Sequence, residues 1–278
     1  MLTSRSTIWN RERRVEKTVV KALQVLEALA RSEHPRGISE LGRELGFSKS
    51  NAYRLLDTLR EAGYVNRVAG GTAFELSLKM WHLGSRATAR LDIKATALPY
   101  LRELRDKTAE TARLTVLHGE QGICIEQVET KLPMRIQTPI GGSLLLYCSA
   151  TGKAMLAFQP NDFIDSIAAS IEQFTPMSIA TRDDLVVELA QIRRSGFAMN
   201  RGERMAGVCG VAAPVFNSAG VANAAIGISG PAERLTYRVL RNYGPLVSDI
   251  ARRLSHDLGA SPARTDERAA ATQRSASG

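Results

Sequence analysis

The sequence predicts an α+β protein built from two folded parts of different character. Between Ile38 and Leu76 the chain reads as a helix, a tight turn, a second helix with basic and small polar residues, and a short β-ribbon. After about residue 108, short apolar runs alternate with helical stretches, which is typical of an antiparallel sheet with helices on its faces. A chain of 278 residues is long enough for two domains, each with its own core.

The first part begins with an amphipathic helix that follows a polar stretch without periodicity. Residues 1–16 are therefore predicted to be a flexible arm. A second helix carries Ile38, Leu41 and Leu45, and Gly46 is placed to end it in a left-handed conformation. In the first helix, apolar residues recur at steps of three and four and predict one apolar helical stripe: Val19, Leu23, Leu26 and Leu29.

A third helix is predicted from Lys49 to Ala62, with Ser48 as its N-cap and Gly63 placed to end it. Its inward face is expected to carry Leu55, Leu56 and Leu59. Residues 64–68 and 72–76 flank an Ala-Gly-Gly turn, which predicts a hairpin. Residues 17–77 are therefore predicted to form a winged helix-turn-helix domain.

Residues 78–107 are predicted to form a linker helix, because Leu98, Leu101 and Leu104 keep an apolar face. Gly84 and Pro99 are expected to divide it. A segment between domains often acts as a rigid connector and a dimer contact.

Residues 108–258 are predicted to form the second domain, and the small polar residues of 259–278 a disordered tail. Strands are expected over residues 113–118, 123–128, 211–216 and 224–229, and helices over 149–158, 183–195 and 243–258. The turn from Asn217 to Gly220 separates two of the strands like a hairpin.

Composition narrows the class of protein. No apolar run approaches the roughly 20 residues of a membrane helix, and the N-terminus lacks an apolar signal-peptide core. Three unclustered cysteines imply neither a disulfide framework nor a zinc site and fit a reducing cytoplasm. The net charge is +9, and residues 1–90 hold 16 basic against 9 acidic residues. This basic excess lies with the helix-turn-helix, as binding to a polyanion requires.

The third helix is the predicted DNA reader, because the N-terminal residues of the second helix in a helix-turn-helix face the bases. Arg54 can grip guanine with two hydrogen bonds, and Arg67 on the hairpin can reach a phosphate or the minor groove. The candidate residues are Ser48, Lys49, Ser50, Asn51, Tyr53, Arg54 and Arg67.

The sequence does not contain the catalytic motifs for which it was searched, and one apparent match is incomplete. The run Thr151-Gly152-Lys153 lacks the glycine of a phosphate-binding loop, since Tyr147 stands in its place. The chain has no GxSxG turn, and its four histidines show no metal-ligand spacing. We therefore predict no catalytic residue, no metal and no cofactor. Two alternatives stay open: an enzyme with an accessory DNA-binding domain, and a DNA binder indifferent to sequence.

The chain resembles the isocitrate lyase regulator (IclR) family of bacterial transcription regulators from Val19 to about Leu258. The resemblance rests on KALQVLEALA, LGFSKSNAYRLLDTLREAGYV, SATGKAMLA, the Glu203 and Gly207 pair, and VAAPVFNSAG with AIGISGP. It implies a GAF-like effector domain and a homodimer or dimer of dimers on palindromic double-stranded DNA in the cytoplasm. It also implies control by a small metabolite, often a carboxylate, whereas repression and activation stay open.

The resemblance also implies a ligand cavity at Ala150, Thr151, Asn200, Gly210, Gly227 and Ser229. Leu144, Leu146 and Met155 are expected to form its apolar wall, and the start of the helix after Thr151 to receive the carboxylate. Many relatives have an acid at Asn200, a cysteine at Gly210 and a serine at Gly227. We therefore expect fewer polar anchors, more room, and a bulkier or more aromatic acid.

Overall fold

The computed structural model describes residues 16–88, 92–133, 136 and 138–261, without the side chains of residues 85–92. The predicted arm over residues 1–16 and the predicted tail over 259–278 lie almost wholly outside this range. The chain divides into two compact units, residues 1–90 and 91–278. The division falls within the segment predicted as the linker, residues 78–107.

The first unit contains four helices and a three-stranded sheet among its described residues. The helices are α1 (Lys17–Ala30), α2 (Ile38–Leu45), α3 (Lys49–Glu61) and α4 (Leu78–Thr88). The strands are β1 (Arg36–Gly37), β2 (Val65–Arg67) and β3 (Ala73–Leu76), in the order β1-β3-β2. Gly46 ends α2 with φ of 69°, and Ser48 caps α3, as predicted. The pairing of β1 with β3 was not predicted, because a two-residue strand has no periodic pattern.

The apolar stripe predicted for α1 is only half buried. Leu26 and Leu29 lie in the core with Val25, but Val19 and Leu23 are 55% and 43% exposed. The core of this unit is formed mainly by the later turns of α1 together with α2, α3 and the sheet. The stripe therefore reaches the core only in its C-terminal half, because periodicity alone does not say how far along a helix the neighbouring elements reach.

The predicted divisions at Gly84 and Pro99 are also wrong. Gly84 lies within α4, and Pro99 lies within α5 (Asp92–Thr108) of the second unit. The start of α4 is fixed to the first unit, since Lys79 Nζ donates to the carbonyl of Ala62 at 2.7 Å and lies 4.4 Å from the centre of the Tyr64 ring.

The second unit is an antiparallel sheet of six described strands with helices on both faces. The strands are β4 (Thr111–His118), β5 (Gln121–Val128), β6 (Ser143–Leu145), β7 (Ala198–Arg201), β8 (Val208–Phe216) and β9 (Ala222–Pro231). They are ordered β6-β5-β4-β9-β8-β7. The helices after α5 are α6 (Ala150–Leu156), α7 (Asn161–Ala168), α8 (Arg182–Ser195) and α9 (Tyr237–Asp257).

Alternation along β8 assigns its side chains to the two faces. Val211 and Val215 pack with α5 and α9, whereas Ala212 packs with α6 and α8. The turn at Asn217–Gly220 joins β8 to β9 as predicted, with the Asn217 side chain accepting from the backbone of Ala219 and Val221. Helix α9 begins at Tyr237, six residues before the predicted start, because Thr236 caps it and Pro245 is accommodated inside it. Strands β6 and β7 and helix α7 were not predicted.

Within the described part of the chain, no helix combines the length and the apolar character that crossing a membrane requires.

Candidate DNA interface and ligand cavity

The exposed face of α3 carries the residues predicted to read DNA. Ser50, Tyr53 and Arg54 are spaced by three and four residues and are exposed, whereas Ala52 and Leu56 are buried on the opposite face. The Ser48 side chain accepts from the backbone N–H of Asn51 at 3.2 Å. The cap therefore fixes the start of the helix while the side chains after it stay available.

The cations of α3 differ in whether they have a carboxylate partner. Arg60 is bound to Asp57 at 2.7 Å. Among the described residues, neither Lys49 nor Arg54 has an ion-pair partner. Unpaired cations at the start of a helix suit phosphate oxygens and base edges. Arg67 on β2 is exposed, and its Nε donates to the carbonyl of Gly71 at 2.9 Å, which ties it to the hairpin turn.

The second unit contains a cavity of about 370 Å³ between the sheet and the segment that leads into α6. This volume lies near the lower end of the range for small-molecule sites, roughly 300–1,000 Å³. Its lining combines polar and apolar groups from all six described strands and from the segments after β5, β6 and β7: Arg113, Gln121, Ile136, Thr138, Ser143, Leu144, Leu145, Cys148, Ser149, Ala150, Thr151, Asn200, Arg204, Val208, Gly210, Ile228 and Ser229.

The cavity brings together five of the six residues that the resemblance implied. They are Ala150, Thr151, Asn200, Gly210 and Ser229. Gly227 is not among the lining residues, and a Cβ there would lie 2.5 Å from the Cβ of Ala212. Leu144 lines the cavity as expected, but Leu146 and Met155 do not and instead lie in the core between α6 and the sheet.

Several polar side chains of the cavity are already engaged. Thr151 Oγ1 accepts from Thr115 Oγ1 at 3.2 Å. Asn200 Oδ1 accepts from the backbone N–H of Glu203 at 2.9 Å, which closes the loop between β7 and β8. Ser229 Oγ is buried and has no hydrogen-bond partner among the described residues.

Arg113 is a lining residue that the sequence reasoning missed. It lies on β4, is only 8% exposed, and donates through Nη1 to Thr138 Oγ1 at 2.7 Å. Burial lowers the pKa of this guanidinium, but an arginine stays charged at neutral pH. Alternating charged and apolar residues in a strand usually indicate a solvent-facing side, and the local sequence gives no signal that this side faces a cavity.

Arg204 supplies a second cation at the cavity and lies 3.6 Å from the centre of the Phe174 ring. No carboxylate occurs among the described lining residues. Arg113, Thr138 and Arg204 therefore add polar groups to the cavity beyond the positions that the resemblance implied. A cavity with this charge favours an anionic ligand.

Lys153 of α6 forms an ion cluster with Glu188 of α8 and Glu203 of the loop after β7. Lys153 Nζ is 2.7 Å from Glu203 Oε1 and 2.8 Å from Glu188 Oε1, and the Lys153 side chain is 1% exposed. Burial raises the pKa of Glu203, an effect that the Lys153 cation opposes. This cluster joins α6, α8 and the loop after β7 beside the cavity.

The three cysteines are buried, and burial raises the pKa of each thiol, that of Cys148 to about 11. At pH 8 only about one Cys148 in a thousand is then a thiolate, the reactive form. We expect 5,5′-dithiobis(2-nitrobenzoate) to label the native protein at pH 8 over hours and the guanidinium-unfolded protein within seconds. Rapid labelling of any cysteine in the native protein would contradict this assignment.

Comparisons with known proteins agree with this arrangement. Residues 18–69 match the model of the IclR helix-turn-helix domain, and residues 85–256 match that of the bacterial transcriptional regulator IclR C-terminal domain. The HTH-type transcriptional regulator KdgR of Escherichia coli is 32% identical over 244 residues, which is 87% of this chain and 92% of that protein.

Solved structures give the same result. An IclR-type regulator from Silicibacter sp. TM1040 has a TM-score of 0.77 at 28% identity and covers 88% of this chain and 97% of its own. An IclR homologue from Microbacterium hydrocarbonoxydans, complexed with 4-hydroxybenzoate, has a TM-score of 0.74 at 22% identity, with coverage of 88% and 100%. At 22% identity, the similarity to the Microbacterium hydrocarbonoxydans protein shows only that the two chains share a fold.

A winged helix-turn-helix followed by a separate effector domain defines a DNA-binding transcription regulator rather than an enzyme. The chain belongs to the IclR family of bacterial transcription regulators.

Proposed function

We propose that the protein binds a palindromic operator through α3 and that a small organic acid in the cavity controls this binding. The observation that supports the second part is a cavity with two guanidinium groups and no carboxylate among its described lining residues. The regulated genes are proposed to belong to a catabolic pathway, and the site of action is the cytoplasm.

The proposed control is a shift between two arrangements of the protein. An acid that binds one arrangement more tightly than the other raises its population. Because the coupling is reciprocal, operator DNA must change the affinity for the acid by the same factor as the acid changes the affinity for DNA. This reciprocity distinguishes an effector from a compound that only occupies the cavity.

The proposed assembly is a homodimer or a dimer of dimers, because two α3 helices are needed to read two half-sites. Supporting this proposal, α4 exposes apolar side chains in the first unit: Leu78 is 83% exposed and Trp81 72%. Exposed large apolar side chains near one another often mark a protein contact. Light scattering across a concentration series measures the oligomeric state directly.

The test of the proposed function is a DNA-binding assay with a panel of acids. A duplex selected from a random pool serves as the operator, and fluorescence anisotropy reports binding. Glyoxylate, pyruvate and 4-hydroxybenzoate are compared with uncharged amides of similar size. At least one acid is expected to change the operator affinity while its amide does not, and failure of every acid in a broad panel would refute the proposal.

Replacing Arg54 by alanine is expected to weaken operator binding by about 1–3 kcal/mol if this side chain contacts a base. The matched control is Arg60→Ala on the same helix, where Asp57 already binds the guanidinium, and its operator affinity is expected to stay close to that of the wild type. Titration of the wild type and both variants against the selected duplex at one salt concentration measures the three operator affinities. Equal losses for the two variants would remove Arg54 from the interface.

A further inference from the structure

Arg113 is a buried cation with no carboxylate partner among the described residues. Its side chain is 8% exposed, and its one hydrogen bond among the described residues goes from Nη1 to the hydroxyl of Thr138. Nε and Nη2 are buried and have no partner in the described part of the chain. A charge removed from water without a counter-ion is unfavourable, so a fold that retains one suggests that the anion comes from elsewhere.

The two unpartnered atoms form one edge of the guanidinium. Nε–H and Nη2–H point in nearly parallel directions, a spacing that matches the two oxygens of a carboxylate. The bond to Thr138 occupies the remaining side and holds the group in place. Thr138 lines the same cavity as Arg113, so the fixed guanidinium belongs to the cavity wall.

The start of α6 is a weaker anchor than the resemblance implied. Ser149 Oγ already accepts from the backbone N–H of Gly152 at 3.2 Å, and the Ser149 carbonyl accepts from that of Lys153. The Lys153 side chain is bound to Glu188 and Glu203. The first turn of α6 therefore has few free donors and no free cation.

The register of the sheet indicates the surroundings of the anchor. Arg113 pairs with Gly227 across β4 and β9, and Thr111 pairs with Ser229. Cross-strand partners share a face, so Ser229, whose hydroxyl has no partner among the described residues, lies diagonally beside Arg113. The rest of the lining includes the apolar side chains of Leu144 and Val208, which suit an apolar ligand body.

We propose that Arg113 binds the effector through a side-on, two-point contact of Nε and Nη2 with a carboxylate, and so selects monocarboxylic acids with an apolar body. This inference rests on the proposed function, because it assigns the anchor of the same cavity. It makes Arg113 the specificity-determining residue, whereas Ala150 and Thr151 contribute shape.

The test measures thermal unfolding of the full chain with sodium benzoate as the probe, and with benzamide and sodium chloride as neutral and ionic-strength controls. Benzoate is expected to raise the melting temperature of the wild type to a plateau, while both controls leave it unchanged. In Arg113→Met the dissociation constant is expected to rise about 30-fold or more. Absence of a benzoate-specific shift in the wild type at tens of millimolar would overturn the proposal, as would equal shifts in both proteins.

Two further variants keep the result interpretable. Arg193→Met removes another partly buried arginine, which donates to the carbonyl of Ala157 outside the cavity lining, and should keep the benzoate response. Arg113→Lys keeps the positive charge but lacks the planar pair of N–H donors, so its affinity for benzoate is expected to fall about tenfold or more. Wild-type affinity in Arg113→Lys would overturn the two-point geometry.

The operator assay separates this inference from the proposed function. If organic acids alter DNA binding equally in the wild type and Arg113→Met, the assignment of Arg113 as the ligand anchor is wrong, while the proposed regulation of DNA binding stands. If benzoate stabilises the protein through Arg113 but no acid affects DNA binding, the assignment of Arg113 as the ligand anchor stands. The proposal that an acid controls operator binding is then refuted.

Discussion

Replacing Lys153 by methionine is expected to lower the free energy of unfolding by about 3–5 kcal/mol, because it leaves the buried Glu203 carboxylate without its cation. Lys153 and Glu203 are 1% and 3% exposed and their charged atoms lie 2.7 Å apart. Lys153 binds Glu203 Oε1, and Glu203 Oε2 has no hydrogen-bond partner among the described residues, so no neighbouring donor takes the place of the lysine. Urea denaturation followed by circular dichroism measures the loss.

The control for this variant is an exposed ion pair in the same unit. Arg182 is bound to Asp165 at 2.8 Å with about half of each side chain exposed, and Arg182→Met should cost less than about 1 kcal/mol. The double variant Lys153→Met with Glu203→Gln should recover part of the loss, since the uncompensated charge is gone. A loss in Lys153→Met no larger than in Arg182→Met would show that the buried pair is not stabilising.

Replacing Gly152 by alanine is expected to destabilise the protein by about 3 kcal/mol, although glycine to alanine inside a helix ordinarily stabilises by about 0.5–1 kcal/mol. A Cβ at this position would lie 2.6 Å from the backbone of Leu146 and 2.5 Å from Ser149 Oγ. The helix would have to move away from the 3₁₀ turn Leu146–Cys148. Since Cys148 and Ser149 line the cavity, the same variant should also weaken benzoate binding.

Gly84→Ala serves as the comparison for Gly152→Ala. Gly84 lies within α4, and a Cβ there would meet no atom of the described residues within 4 Å, so this variant is expected to keep or slightly raise the free energy of unfolding. Both are measured in urea under identical conditions. Wild-type stability in Gly152→Ala would mean that α6 and the turn before it can separate without cost.

The sequence predicted the first unit well where local chemistry decides the structure. The left-handed Gly46 and the cap at Ser48 fix the ends of α2 and α3 through interactions within a few residues. Prediction failed where distant contacts decide. Pro99 was expected to divide the linker segment but lies inside a helix, and Val19 and Leu23 fit an apolar helical stripe but are exposed.

The cavity shows the same contrast between local and distant determinants. Five residues implied by family resemblance do line it, yet Arg113 was not found, because the burial of a β4 side chain depends on strands more than 100 residues later. The resemblance implied Gly227 as a cavity residue, but it is not among the lining residues, and the packing of Ala212 against it leaves no room for a side chain. The DNA-reading residues and the effector contacts remain predictions for the experiments above.

The short outer strands of the six-stranded sheet have a consequence for solubility. Strands β6 and β7 contain three and four residues, whereas the inner strands contain eight to ten. Where β8 extends beyond β7 it carries Pro214, which has no N–H to offer an incoming strand. Short edge strands, and an edge interrupted by proline, are poor templates for edge-to-edge aggregation. We therefore expect copies of this chain to associate through side chains on helices, and to resist fibril formation even when the protein is concentrated.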